Sequence, residues 1–298
     1  MSAVPLTFDQ AVSRQLVHKR STGEVLPTDL FVRGPDAFEV ALQWPRRHGM
    51  YSVSPLNSPL VAESIRQVTV YVLHAGLDVP LGTRFLMTGM GFELRRAAIA
   101  RPRGKAIEIR ASTRTANVRR SGGGALRGVR IDARFTDDDG LVATGHGDAV
   151  LVDECTYRRM RGEFISAAMP AERGSPPVAA AAVGRTTPED VVVSAAPDGV
   201  HVSIDPGNPY FFDHELDHVP GVALIEACRQ MACLQVEDPD ADFVTFESTF
   251  YRMVEFDASA TVSITLRDSA RFEVRQFDTV AVRGHAVIAS PPRHSPAQ

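Results

Sequence analysis

Two short stretches of this 298-residue chain carry side chains that could do proton-transfer chemistry. PLVAESIRQVTVYVLH, residues 59–74, holds Glu63, Arg66 and Gln67, and PGVALIEACRQMACL, residues 220–234, holds Glu226, Arg229 and Gln230. Both are apolar nearly all round, the pattern of a helix buried on every side. At 3.6 residues per turn, the polar positions of E-x-x-R-Q fall on one stripe roughly 100° wide. A carboxylate buried among apolar groups has its pKa raised towards neutrality, which suits a general base. A buried guanidinium keeps its proton and can clamp phosphate or oxyanion oxygens through two parallel bonds. The plainer reading is a solvated i,i+3 Glu–Arg ion pair on a helix surface. Repetition weighs against it, because each member of one set lies 163 positions from its counterpart. The chain is built twice around this helix.

The surrounding elements repeat as well. FVRGPDAFEVALQWP (31–45) reads as a hairpin, with a turn at Gly34-Pro35-Asp36 and alternation through Phe38, Val40, Leu42 and Trp44. Pro27-Thr28-Asp29 before it reads as a turn. RRHGMYSVSPLNS follows as a loop, its Asn57-Ser58 an N-cap ahead of Pro59 in the first helical turn. From Thr83 the period changes to two: TRFLMTGMGFEL, KAIEIRAST, GVRIDARFTD and LVATGHGDAVLV read as strands, with turns at 101–104, 121–124 and 137–140. One helix before a run of strands indicates an α+β fold, a mainly antiparallel sheet wrapping the helix.

Residues 165–187, rich in Ala, Pro, Gly and Ser, read as a linker. Beyond it VVVSAAPDGVHVSIDP matches the first hairpin, with Asp198 opposite Asp36. FFDHELDHV leads into the second helix, and four strand-like segments close the copy. The expected organisation is a first domain over 1–164, a second over 188–290 and a disordered tail at 291–298.

Length suits two domains of about 150 residues, each able to bury a core. A net charge of −4 and a pI near 6.1 argue against a nucleic-acid-binding role. The N-terminus lacks the apolar core of a signal peptide, and no apolar run approaches the roughly 18 residues of a membrane span. Cys155, Cys228 and Cys233 are odd in number, and two fall inside the second helix, which fits free thiols in a reducing cytoplasm. No His spacing suggests zinc, Gly122 to Gly124 sit in a hairpin turn, and no G-x-S-x-G elbow is present. Neither a metal, nor a nucleotide cofactor, nor a covalent acyl-enzyme is expected.

Hairpin, loop, buried helix and a strand meander curled around that helix resemble the hotdog order. The second copy is similar to bacterial 3-hydroxyacyl-carrier-protein dehydratases, since PGVALIEA is close to their PGVLxxEA helix start and places Glu226 where their helix carboxylate lies. It departs from them in the spacing of His214 and His218 before Pro220-Gly221, and in carrying Arg229. LVHKRSTGEVLPTDL, ALQWPRRHGMY, AESIRQ and FDHELDHVPGVALIEACRQ, in this order, resemble the A-factor (γ-butyrolactone) biosynthesis proteins of streptomycetes and relatives over about residues 5–290.

That resemblance implies two tandem hotdog domains forming an internal pseudo-dimer, with active sites between the halves. It implies transfer of a β-ketoacyl group from acyl carrier protein to dihydroxyacetone phosphate, then ring-closing condensation to a butenolide phosphate, precursor of a diffusible autoregulator. It assigns Glu63 as general base and Arg229 as oxyanion or phosphate clamp; the residues alone do not rank Glu63 above Glu226. Arg66, Gln67, Gln230, His214 and His218 are then expected to bind substrate, and Arg46-Arg47 to meet phosphate or carrier protein. Two other readings compete: a hotdog dehydratase or thioesterase, which would ignore the triose phosphate, and a non-catalytic autoregulator-binding protein. The charged stripes weigh against the last, because a lipid pocket has no need of buried charge.

Overall fold

The computed structural model describes residues 6–51, 56–95, 105–166 and 169–290. The expected turn at 101–104 and the tail at 291–298 lie outside them. The first hairpin pairs β1 (Pro27–Gly34) with β2 (Ala37–Trp44), and α1 (Ser58–Tyr71) then runs into a π-helical turn at Val72–Gly76. β3 (Arg84–Leu94), β4 (Ile107–Arg120), β5 (Leu126–Asp137) and β6 (Gly140–Val152) follow, then α2 (Glu154–Arg161). The second copy runs β7 (Val193–Ala196), β8 (Gly199–Val202), α3 (Gly221–Val236), β9 (Asp242–Phe250), β10 (Thr261–Leu266), β11 (Ala270–Gln276) and β12 (Thr279–Ala289).

All strands join one antiparallel sheet in the order β1-β2-β4-β5-β6-β3-β9-β12-β11-β10-β8-β7. Each half carries the same internal order, and the halves meet edge to edge where β3 pairs with β9. This is the internal pseudo-dimer anticipated from the repeat. Aromatic rings hold the seam. Phe92 lies opposite Phe246 in register with ring centroids 5.4 Å apart, and Phe246 stacks on Phe272 at 5.0 Å. Each such pair contributes roughly 1 kcal/mol beyond the area it buries.

α1 lies close on β6 because that strand has glycines beneath it. A Cβ on Gly145 would meet Ile65 Cδ1 at 2.4 Å, and one on Gly147 would meet Thr69 Oγ1 at 2.7 Å. Cys228 and Cys233 are free and buried in the core, as expected, and Cys155 is free and exposed.

Three local expectations are corrected. Pro27-Thr28-Asp29 begins β1 and is not a turn; Pro27 faces Leu42, and a first strand position needs no N–H to donate. Asn57 caps α1 without its side chain; instead Asp242, from the other half, accepts bonds from the Ser58 N–H at 3.1 Å and from the Ser58 hydroxyl. Part of the expected linker is packed: Ala180–Val183 forms a 3-10 turn, Val183 is fully buried, and Arg185 turns inward. The sequence reading also passed over α2, whose ECTYRRMR has no apolar stripe; its local signal is Asp153, which accepts from the Thr156 N–H at 2.7 Å as N-cap.

Candidate active site

Glu63 is only 1% exposed on α1. Arg66 donates to both of its oxygens, at 2.8 and 2.7 Å, Gln67 adds a bond of 2.7 Å, and Lys19 Nζ lies 3.3 Å away. Gln67 also accepts from the Leu26 N–H and donates to the Glu24 carbonyl, while Arg66 reaches the Val17 carbonyl. α3 repeats the whole set. Glu226 takes bonds from Arg229 at 2.9 and 2.8 Å and from Gln230 at 2.7 Å, and Arg185 stands where Lys19 stands in the first copy. Gln230 accepts from the Val192 N–H and donates to the Asp190 carbonyl, and Arg229 donates to the Val183 carbonyl. Each stripe therefore fastens the segment that leads into its own hairpin. The ion pairs exist, but they are buried rather than solvated.

This reverses the expected pKa. Burial alone would push the Glu63 carboxyl up, but Arg66, Lys19 and the bonds from Arg66 and Gln67 outweigh it, and its pKa is about 2. Burial is likewise outweighed at Glu226, by Arg185 and Arg229, again leaving about 2. Carboxylates so held are weak bases at neutral pH.

A cavity of about 770 Å³ opens between the halves, bounded by α1, β3 and β6 on one side and the 210–222 loop on the other. One end is charged and lined by His18, Lys19, Glu63, Arg66, Asp213 and His214. Val70, Met87, Met90, Ala149 and Phe250 give the cavity an apolar stretch. Arg161, His218 and Glu255 line a further section. Asp213 ties the loop to the first half by accepting from the backbone N–H groups of Ser21, at 3.0 Å, and Arg20.

The copies contribute unlike parts. Arg66 keeps 21% of its side chain exposed at the cavity wall, whereas Arg229 is 1% exposed and Arg185 fully enclosed. Glu226, Arg229, Gln230 and Gln67 are not among the residues that line the cavity, and the polar atoms of Arg229 and the two glutamines, expected to clamp or bind substrate, are bonded inside the staples. The helix starts differ in the opposite sense. Pro220, Gly221 and Val222 line the cavity, and the first-turn amides of Gly221 and Val222 carry no hydrogen bond among the described residues. The start of α1 is closed by Asp242. Gly221 brings that start close to β3, where a Cβ would meet Met87 Cε at 2.2 Å and displace the end of that side chain. The cavity thus takes its charged stripe from the first copy and an open helix N-terminus from the second.

His214 and His218 both line this cavity, while Arg46 and Arg47 are exposed and lie off its wall. Sequence reasoning missed Lys19 and Arg185 as staple partners; the signal was Val-x-Lys and Val-x-Arg repeated 166 positions apart. It also missed Tyr157, Arg161 and Asp217. A second concavity of about 820 Å³ crosses the sheet face away from α1. It is a trough of charges that largely satisfy one another, such as Arg33 with Glu39 and Arg130 with Asp132, and neither helix stripe opens into it. Among the described residues no His, Cys, Asp and Glu side chains group to hold a metal ion, and no helix is long and apolar enough to cross a membrane.

Two central helices, each wrapped by half of one antiparallel sheet around a shared cavity, define a tandem hotdog protein. The A-factor biosynthesis hotdog domain matches this sequence twice, over residues 3–153 and 167–291. The chain belongs to that family. It is 32% identical to the 2-oxo-3-(phosphooxy)propyl 3-oxoalkanoate synthase of Streptomyces coelicolor, over 92% of this chain and 87% of that one. It is 34% identical to the synthase of the same name from Streptomyces virginiae, over 92% of each. Among solved structures it is similar to a 12:0-ACP thioesterase from Umbellularia californica, at 11% identity and a TM-score of 0.49, covering 87% of this chain and 99% of that one.

Proposed function

We propose that this protein joins a β-ketoacyl group, carried as a thioester on acyl carrier protein, to the hydroxyl of dihydroxyacetone phosphate. The observation that carries the reading is the cavity itself. Cationic Arg66 and Lys19 stand at one end, with an apolar stretch on the same wall, in a chain similar over 92% of its length to synthases named for this ester. A phosphate suits the end where a guanidinium and an ammonium converge. The apolar stretch suits the acyl chain, each buried methylene contributing about 0.8 kcal/mol. The free amides at the α3 start border the same space and suit the oxyanion of the tetrahedral intermediate.

Once the ester forms, its acidic methylene, between two carbonyls, lies within five-membered-ring reach of the triose ketone. Carbon–carbon bond formation with loss of water then gives the butenolide phosphate.

Mass spectrometry of the purified protein with a β-ketoacyl thioester, with and without dihydroxyacetone phosphate, tests this. The ester, or its dehydrated ring, is expected only when the triose phosphate is present. Free keto acid or a dehydrated acyl product formed regardless of it would move the function to a thioesterase or dehydratase.

A further inference from the structure

We propose that His218 takes the hydroxyl proton of the triose phosphate, with Asp217 as its positioning partner; the inference rests on the synthase reading above. His218 Nδ1 lies 2.7 Å from Asp217 Oδ1. An ionised carboxylate only accepts, so Nδ1 carries the hydrogen and Nε2 presents its lone pair. Nε2 has no hydrogen bond among the described residues, and His218 lines the cavity three residues before α3 begins.

Asp217 is held in place from α2. The Tyr157 hydroxyl donates to its two oxygens at 2.8 and 2.9 Å, and Arg161 donates Nε to Oδ2 at 2.8 Å and Nη2 to the Asp217 backbone carbonyl at 2.7 Å. Arg161 is in turn fixed by two bonds of 2.7 Å to Glu255. Burial pushes the Asp217 carboxyl up, but the bonds from His218 and Tyr157 outweigh it and hold it well below the usual carboxylate range. A fixed, ionised carboxylate behind an imidazole sets its tautomer and stabilises the imidazolium that forms.

The other bases on the cavity wall lack this support. His74 Nδ1 donates to the Val79 carbonyl at 2.7 Å, which makes His74 Nε2 the acceptor for His18 Nε2 at 2.8 Å. Among the described residues no carboxylate backs His18, and burial, His74 and Arg66 bring its pKa down to about 3. His214 Nδ1 is 3.8 Å from Asp213, whose oxygens already serve the Arg20 and Ser21 amides. Glu63 is consumed by Arg66, Lys19 and Gln67.

In the step, Nε2 accepts the hydroxyl proton as that oxygen attacks the thioester carbonyl carbon. The tetrahedral intermediate collapses, the carbon–sulfur bond breaks, and the departing thiolate takes the proton back from Nε2. Thioester and alcohol become ester and thiol, with no oxidant and no water consumed.

The test uses the full chain with a β-ketoacyl thioester and dihydroxyacetone phosphate. His218→Ala and His218→Gln are expected to melt like wild type and keep the KM for the triose phosphate, with kcat reduced about 100-fold or more. Added imidazole is expected to restore part of the rate in His218→Ala alone. Asp217→Asn frees the ring to turn and to change tautomer, so it should lower kcat about 10-fold or more while the KM for the triose phosphate holds. A kcat within about threefold of wild type in either His218 variant overturns the assignment. So does a loss of rate that imidazole leaves untouched in His218→Ala. Wild-type protein that makes no ester sinks the synthase reading itself, a result distinct from either.

Discussion

Arg185 Nη2 lies 2.6 Å from Glu226 Oε1, with both side chains almost wholly enclosed. This contact joins a segment of linker-like composition to the centre of the second helix. Removing one member of a buried pair leaves charge uncompensated and costs roughly 3–5 kcal/mol. Arg185→Met is therefore expected to lower the urea midpoint substantially. Turnover per folded molecule should not change, because Arg185 is remote from the cavity wall. Unaltered stability would show that residues 180–185 are a passive linker after all.

Glu63→Gln tests the staple against catalysis. The substitution leaves Lys19 and Arg66 facing each other without their shared carboxylate, so a loss of stability of roughly 3 kcal/mol or more is expected. The variant, assayed below its melting temperature, should retain ester formation within about tenfold of wild type. A stably folded Glu63→Gln protein with no turnover would restore Glu63 as the base.

Stability should fall on acidification in two stages. The pKa of His18 is about 3 in the folded chain against an ordinary 6.5, so the unfolded chain takes up that proton first as pH drops through 6.5. Glu63 and Glu226 sit at about 2 against an ordinary 4.5, so their contribution is complete above 4.5 and is lost as pH falls towards 2. Urea midpoints measured from pH 7 to pH 3 should decline throughout, and Glu226→Gln should flatten the lower part. A midpoint that rises below pH 5 would contradict the staple.

The repeat, the strand meander and the buried helices were legible because they are written in local periodicity, 3.6 for the helices and two for the strands. The stripes were legible as residues but not as chemistry. Whether Glu63 is a base or an anchor depends on Lys19, 44 positions upstream, and Glu226 depends on Arg185, 41 positions upstream. Neither pairing leaves a helical or strand period to find. The asymmetry was hidden for the same reason: Glu-x-x-Arg-Gln is identical in both copies, and only packing decides that one opens to the cavity and the other is sealed. His218 was visible as a histidine near a helix start. Its supporting Tyr157 and Arg161 lie on α2, in a polar octet with no apolar stripe to mark it as a helix.

The two ends of the cavity should separate under mutation. Arg66→Lys keeps a cation against Glu63 but loses the planar fork that grips phosphate, so the KM for dihydroxyacetone phosphate should rise about tenfold with the acyl preference unchanged. Ala149, on β6 opposite Met87 of β3, faces the apolar section. Ala149→Leu adds three carbons to that wall and removes room for a comparable length of acyl chain. With each methylene contributing about 0.8 kcal/mol, kcat/KM for long β-ketoacyl thioesters should fall relative to short ones by about fourfold per carbon excluded, while the KM for the triose phosphate holds. Competition assays with a mixed-length thioester pool, read by product mass, measure both effects at once. If Ala149→Leu raised the triose phosphate KM and left chain-length preference alone, the acyl chain would have to lie elsewhere, and the orientation of both substrates in the cavity would be reversed.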